Sequence, residues 1–256
     1  MATINGRLGL QGTVVIEGTA LRWNITSPTP ANFTYGSSAM IPLVGDWNGD
    51  GVEGIGAYEP STGVFFLKQT ATGGNADIAI QYGFLGVTPI SWYDTYSIGL
   101  GYGDGVGIID GNNVYLDKNL SSGAAEIYTT TSYLSCPSTI SQCKYLCGNI
   151  RIHVRDEALN FISGYNFWLD GINKGEVTTG NRLFDSIDNG SHTCQIIKAD
   201  NVTRACKYCS GTTTCTPSTY LSNCSISITI VTDSTIIYRF TILTPCTTPT
   251  CSFILS

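Results

Sequence analysis

The chemistry with the clearest spacing lies in the run Asp46-Trp47-Asn48-Gly49-Asp50-Gly51. Side-chain oxygens alternate there at Asp46, Asn48 and Asp50, and a glycine turn follows. Such a set suits a hard cation that takes six to eight oxygen ligands. The same residues also make an Asx-rich turn that needs no ion. Ten cysteines form the second candidate group: Cys136, Cys143, Cys147, Cys194, Cys206, Cys209, Cys215, Cys224, Cys246 and Cys251. Their even number, in a loop-rich Ser/Thr segment, reads as up to five disulfides. Only Cys206 and Cys209 have the C-x-x-C spacing of a zinc knuckle. Six N-x-[ST] sequons stand at Asn24, Asn32, Asn119, Asn189, Asn201 and Asn223. With the cysteines, they favour a secreted, N-glycosylated protein at the cell surface.

Catalytic groups are sparse. His153 and His192 are the two histidines. His153 is expected on the solvated side of an alternating strand, and His192 after a hairpin turn. Neither lies in a nucleophile motif. The neighbouring carboxylates Asp156 and Glu157 read as a solvated turn. The glycine-rich run 99–107 has no following helix to make a phosphate cradle. The expectation is no enzyme. Trp47, Trp92, Tyr93, Tyr96 and Tyr102 could line a sugar platform, although aromatics in small β-units more often form the core.

The elements that must position these groups are strands. Charged residues make up 12% of the 256, while 42% are hydrophobic and 11% aromatic. Few strong helix formers remain, which argues against helical folds, and the apolar content argues against disorder. Net charge is −6 and no basic cluster occurs, so nucleic acid is not an expected partner. The apolar runs fall short of the roughly 18 residues a membrane helix needs. Residues 1–25 do not have the basic and apolar regions of a secretory signal.

Charge and cysteine divide the chain. Residues 1–135 carry 4 Lys+Arg against 11 Asp+Glu and no cysteine, whereas residues 136–256 carry 9 against 8. Two domains are expected, 1–135 and 136–256, with the join in the Ser/Thr/Cys-rich stretch 129–147. The first contains an internal repeat. Tyr35 and Tyr82 are 47 residues apart, as are Pro42 and Pro89, and Trp23, Phe66 and Tyr115 are spaced by 43 and 49. A period in the forties with short strands and Gly-rich turns predicts blades or stacked β-units. Strands are expected at 13–16, 64–67, 78–82 and 114–116. In the second domain, alternation predicts strands at 149–155, 165–169, 183–187, 192–197 and along 225–238, with Asp170-Gly171 and Asn189-Gly190 as hairpin turns. Six or seven strands in that length indicate a sandwich.

The stretch from Val44 through the Asp46 loop to Leu67 resembles the FG-GAP/VCBS repeats of extracellular β-propellers. That resemblance implies a calcium ion, Ca2+, held by Asp46, Asn48 and Asp50 side chains and the Val52 carbonyl. The family's last acidic ligand is replaced by Gly54, with Glu53 beside it and Glu59 further on as substitutes. In the next copy only Asp104 remains of the ligand set, so one ion is expected and not two. Residues 163–175 with 187–197 look like PEGA or carboxypeptidase-regulatory-like β-sandwiches, which are surface modules.

The fold expected is therefore all-β: an N-terminal blade-like β-repeat domain and a C-terminal disulfide-rich Ig-like β-sandwich. Two and a half to three repeats are too few for a complete propeller, and an unclosed stack exposes edges and apolar faces. This predicts a structural subunit of an extracellular filament or coat, with copies of itself and N-linked glycans as partners. Terminal segments 2–10 and 252–255 are candidates for strand addition to a neighbour. The alternative is a calcium-dependent adhesin or carbohydrate-binding module.

Overall fold

The computed structural model describes residues 1–94, 102–155, 158, 160–198, 225–230 and 232–241. The chain is all-β, with 58% strand. It divides into two compact units, Met1–Leu146 and Cys147–Ser256.

The repeat of the first unit folds as three antiparallel four-stranded meanders. The first sheet is β1 (Ala2–Asn5), β2 (Gln11–Glu17), β3 (Ala20–Ser27) and β4 (Ala31–Ser37). The second is β5 (Ile41–Gly45), β6 (Gly54–Glu59), β7 (Val64–Lys68) and β8 (Ile78–Gln81). The third is β9 (Thr88–Tyr93), β10 (Gly105–Asp110), β11 (Asn113–Asp117) and β12 (Ile127–Thr130). The aromatic triplet of the repeat occupies the third strand of each sheet. Trp23 pairs with Phe33, Phe66 with Ala79 and Tyr115 with Tyr128 on the fourth strands. Pro42 and Pro89 are the second residues of the equivalent strands β5 and β9.

Strand alternation places the second sheet between the other two. Val44, Ile55, Ala57 and Phe66 pack with Val14, Leu21, Trp23, Ile25 and Tyr35 of the first sheet. From the opposite face, Leu43, Tyr58, Phe65 and Leu67 pack with Val106, Ile108 and Tyr115 of the third. A strand buried on both faces loses polar alternation, which explains the apolar and small run Gly-Ile-Gly-Ala-Tyr in β6. Three buried indoles donate to backbone carbonyls: Trp23 to Tyr35 at 2.9 Å, Trp47 to Ile55 at 3.0 Å and Trp92 to Val106 at 2.9 Å. A buried N–H left without an acceptor would cost its full desolvation.

The stack is not left open between its first and third sheets. Two short strands, β13 (Leu134–Ser135) and β14 (Cys143–Tyr145), join the third sheet beyond β9, with β14 parallel to β9. Between them Ile140 pairs with Ile4 of β1. The Ile140 amide donates to Thr3 at 2.8 Å, and the Asn5 amide donates to Ile140 at 3.0 Å. The return segment thus bridges β1 and β9, and residues 136–146 belong to the first unit, not to the second. β1 is paired inside the chain on both sides, which differs from the strand-addition role expected of residues 2–10. Residues 252–255 lie outside the described residues.

The second unit has two sheets. One is ordered β18 (Asn181–Asp188), β15 (Cys147–Arg155), β21 (Thr235–Thr241). The other is ordered β17 (Ile172–Glu176), β16 (Tyr165–Leu169), β19 (Gly190–Lys198), β20 (Ser225–Ile230). Phe167 of β16 meets Phe184 of β18 with ring centroids 4.7 Å apart, so the two sheets share a core. The alternating run 225–238 is two strands in different sheets. The break falls at a turn where Asp233 adopts φ +59°. His153 is buried, contrary to the alternation. The outer face of β15 is covered by Phe161, whose ring meets His153 edge-on at 5.2 Å, while the Ile162 amide bonds Val154 at 3.0 Å.

Phe65 is fully buried between the second and third sheets. Phe65→Ala is expected to cost about 3–5 kcal/mol. Urea unfolding read by tryptophan fluorescence measures this. A loss below about 1 kcal/mol would mean that this interface is not packed as described.

Candidate functional site

The first and second strands of each sheet are joined at one end of the first unit, and polar residues gather there. Arg7 and Leu10 flank the β1–β2 turn. Asp46 follows β5 and Glu53 precedes β6. Asp104 precedes β10, and Gln142 precedes β14. Asp46, Glu53, Asp104 and Gln142 are all buried.

Their hydrogen bonds form one connected network. The Gln142 side-chain amide donates to Glu53 Oε1 at 2.7 Å and to Asp104 Oδ2 at 2.9 Å. Its carbonyl oxygen accepts from the Arg7 backbone at 3.1 Å. Glu53 Oε2 accepts from the Leu10 amide at 2.8 Å. Asp104 Oδ1 pairs with the Arg7 guanidinium at 2.7 Å, and Asp104 Oδ2 accepts from the Asp46 amide at 2.8 Å. The Arg7 guanidinium also lies over the Tyr93 ring, 4.8 Å from its centroid. The close approach requires small residues. A Cβ on Gly6 would stand 2.3 Å from a Glu53 oxygen, and one on Gly103 would stand 2.5 Å from the Asp46 carbonyl.

Burial pushes the Asp104 carboxyl above its ordinary range. The Asp46 amide, the Arg7 charge and the Gln142 side chain oppose that shift without cancelling it. The Asp104 charge is therefore held at a cost, and removing a single partner leaves a buried charge uncompensated. Glu53-Gly54-x-Gly56 and Asp104-Gly105-x-Gly107 share a pattern that marks both acids in the sequence. Arg7 and Gln142 carry no such mark.

The Asp46 loop is held by its own amides. Asp46 Oδ1 accepts from Gly49 at 2.8 Å and Asp50 at 3.1 Å, and Oδ2 accepts from Gly51 at 3.0 Å. Asp50 Oδ1 accepts from the Val52 amide at 2.8 Å, and Asn48 donates to Asp50 Oδ2 at 2.9 Å. Asn48, Asp50 and Val52 are exposed. Glu53 faces inward to Leu10 and Gln142, away from the loop. Among the described residues no group of three or more His, Cys, Asp or Glu side chains could hold a metal ion. In this arrangement loop amides bond both Asp46 carboxylate oxygens and Asp50 Oδ1.

Trp47 and Trp92 are buried, so neither ring reaches a sugar platform. Tyr93 lies under Arg7 and Tyr102 is exposed beneath Lys118. Tyr96 lies outside the described residues, as do Asp156 and Glu157. Asn32 and Asn119 are exposed, Asn24 and Asn189 are half-buried, and Asn201 and Asn223 are outside the described residues. Cys136 and Cys143 form a disulfide. Cys147 and Cys194 are buried. The other six cysteines lie outside the described residues.

In the second unit His192 links two turns. Its Nδ1 meets Asp170 at 2.7 Å and its Nε2 meets the Asp188 carbonyl at 2.7 Å. Burial works against the Asp170 charge. The His192 ring, the Thr193 amide and the His192 and Lys174 charges outweigh it and hold the carboxyl below its usual range. This contact ties the β16–β17 turn to the link between the two sheets of the second unit.

No family model and no curated protein matches the chain. Among solved structures it is similar to GBS52, the minor pilin of the Gram-positive pathogen Streptococcus agalactiae. That match has 11% identity and a TM-score of 0.28, covering 57% of this chain and 61% of that one. It is also similar to the TIE protein of Bacillus anthracis, with 9% identity and a TM-score of 0.29, covering 91% of this chain and 38% of that one. The chain thus spans less than two thirds of either protein, and neither score establishes a shared fold.

Asp46→Ala removes the acceptor of three loop amides and is expected to cost about 2 kcal/mol. Calcium chelation is expected to leave the wild-type melting temperature unchanged. A marked fall on chelation, measured by differential scanning calorimetry, would instead assign a cation to this loop.

Proposed function

We propose that this chain is a non-enzymatic structural subunit of an extracellular assembly, a cell-surface filament or coat. The observation that carries the reading is the use made of the buried polar side chains. Arg7, Glu53, Asp104 and Gln142 bond one another and backbone amides across three sheets. A catalytic group must instead reach a substrate. The buried network supports a rigid building block.

Other features fit an exposed location. A disulfide closes the return segment, and such bonds persist in oxidising surroundings. The sequons at Asn32 and Asn119 lie at the surface and are the positions we assign to N-linked glycans. Contact with other copies falls to the rim. β4, β8 and β12 each end their sheets, and end strands are templates for pairing. Phe84 and Leu85 stand 50% and 78% exposed between β8 and β9 and supply apolar contact area.

Negative-stain electron microscopy combined with size-exclusion chromatography tests this reading. Ordered fibres or sheets are the expected result. A stable monomer across concentration, salt and pH would contradict it and return attention to ligand binding.

A further inference from the structure

The closure of the first unit depends on a short loop with little structure of its own. The disulfide between Cys136 and Cys143 spans seven positions, and between the two cysteines the backbone pairing is the bridge at Ile140. Two contacts that tie the loop to the first sheet and to the junction lie inside the ring, and β14, which starts at Cys143, holds its far end on β9. Ile140 exchanges two backbone hydrogen bonds with Thr3 and Asn5 of β1. Gln142 donates to both Glu53 and Asp104, and accepts from the Arg7 amide. A cross-link over so short a loop removes conformations that the open loop would otherwise sample.

We propose that the Cys136–Cys143 disulfide locks a redox-controlled clasp. Oxidised, it holds Ile140 on β1 and Gln142 between the two carboxylates. Reduced, it releases both and opens the first unit between its first and third sheets. The positions of the two sulfurs suit this use. Cys136 is exposed while Cys143 is buried, so thiol–disulfide exchange enters at Cys136. In closure, a small-molecule disulfide takes two electrons and two protons from the Cys136 and Cys143 thiols and departs as two thiols. The chain is loosely closed in a reducing compartment and locks when it meets an oxidising one. The clasp does not rest on the assembly reading, because it operates within a single chain.

Amide hydrogen exchange on the full chain tests it. The oxidised protein is compared with the Cys136→Ser/Cys143→Ser variant, which leaves the other cysteines in place. Exchange at the amides of Asn5, Arg7 and Ile140 is expected to rise roughly tenfold or more, while the amides of β2 and β3 keep their protection. Unchanged rates at those three amides would overturn the proposal. So would a rise spread evenly over all three sheets, since the disulfide would then hold the whole unit and not a local closure. Ile140→Pro keeps the disulfide and removes the N–H donated to Thr3. It is expected to speed exchange at Asn5 and Arg7, and protection of both at the wild-type level would also refute the clasp.

Discussion

Two buried carboxylates, Glu53 and Asp104, share one amide group, that of Gln142. Placing two acids in a sheet junction is unfavourable by itself, and burial raises the Asp104 carboxyl against its partners. The arrangement holds because each of the four carboxylate oxygens meets a donor. Leu10 and Asp46 supply backbone amides, Arg7 supplies a guanidinium, and Gln142 spans the gap. These donors come from the first sheet, the second sheet and the return segment. Satisfying the charges therefore requires all of those elements to be in place at once. The junction specifies how the sheets meet, while the apolar layers between them supply most of the favourable burial energy.

That constraint changes how the short repeat array is understood. Three meanders stacked face to face would leave the first and third sheets without neighbours along the junction. The segment after β12 fills that place by pairing with β1 and β9 and inserting Gln142. Closure by the chain's own return segment removes one source of exposed edges. The rim strands β4, β8 and β12 still end their sheets, and in the proposed assembly contact between copies falls to this rim and not to the junction.

Much of the fold was legible in the residues. The repeat spacing located three equivalent meanders because Trp23, Phe66 and Tyr115 each sit on a third strand, where an aromatic packs between sheets. The Asp170-Gly171 turn located the β16–β17 hairpin, whereas Asn189-Gly190, expected as a hairpin turn, instead links β18 and β19 of different sheets. The junction was not legible, because its contacts join residues far apart in sequence: Arg7 to Asp104 over 97 positions, Glu53 to Gln142 over 89. A lone Arg or Gln carries no local pattern that announces such a partner. Glu53 was noticed for its neighbours in the Asp46 loop, yet its side chain turns the other way. His153 was misplaced because alternation assumes one solvated face, and Phe161 covers that face of β15.

In the proposed reading the self-closed first unit with its disulfide-held return segment is the building block, and the junction is the element that fixes how its sheets meet. A double-mutant cycle between Arg7 and Asp104 tests that role most directly, using Arg7→Ala, Asp104→Ala and the double variant in equilibrium unfolding. These residues join the first sheet to the third without belonging to one strand pair. A coupling energy of about 1–3 kcal/mol is expected. Additive losses, within about 0.5 kcal/mol, would show that the sheets are held by apolar packing alone and would contradict the junction's role.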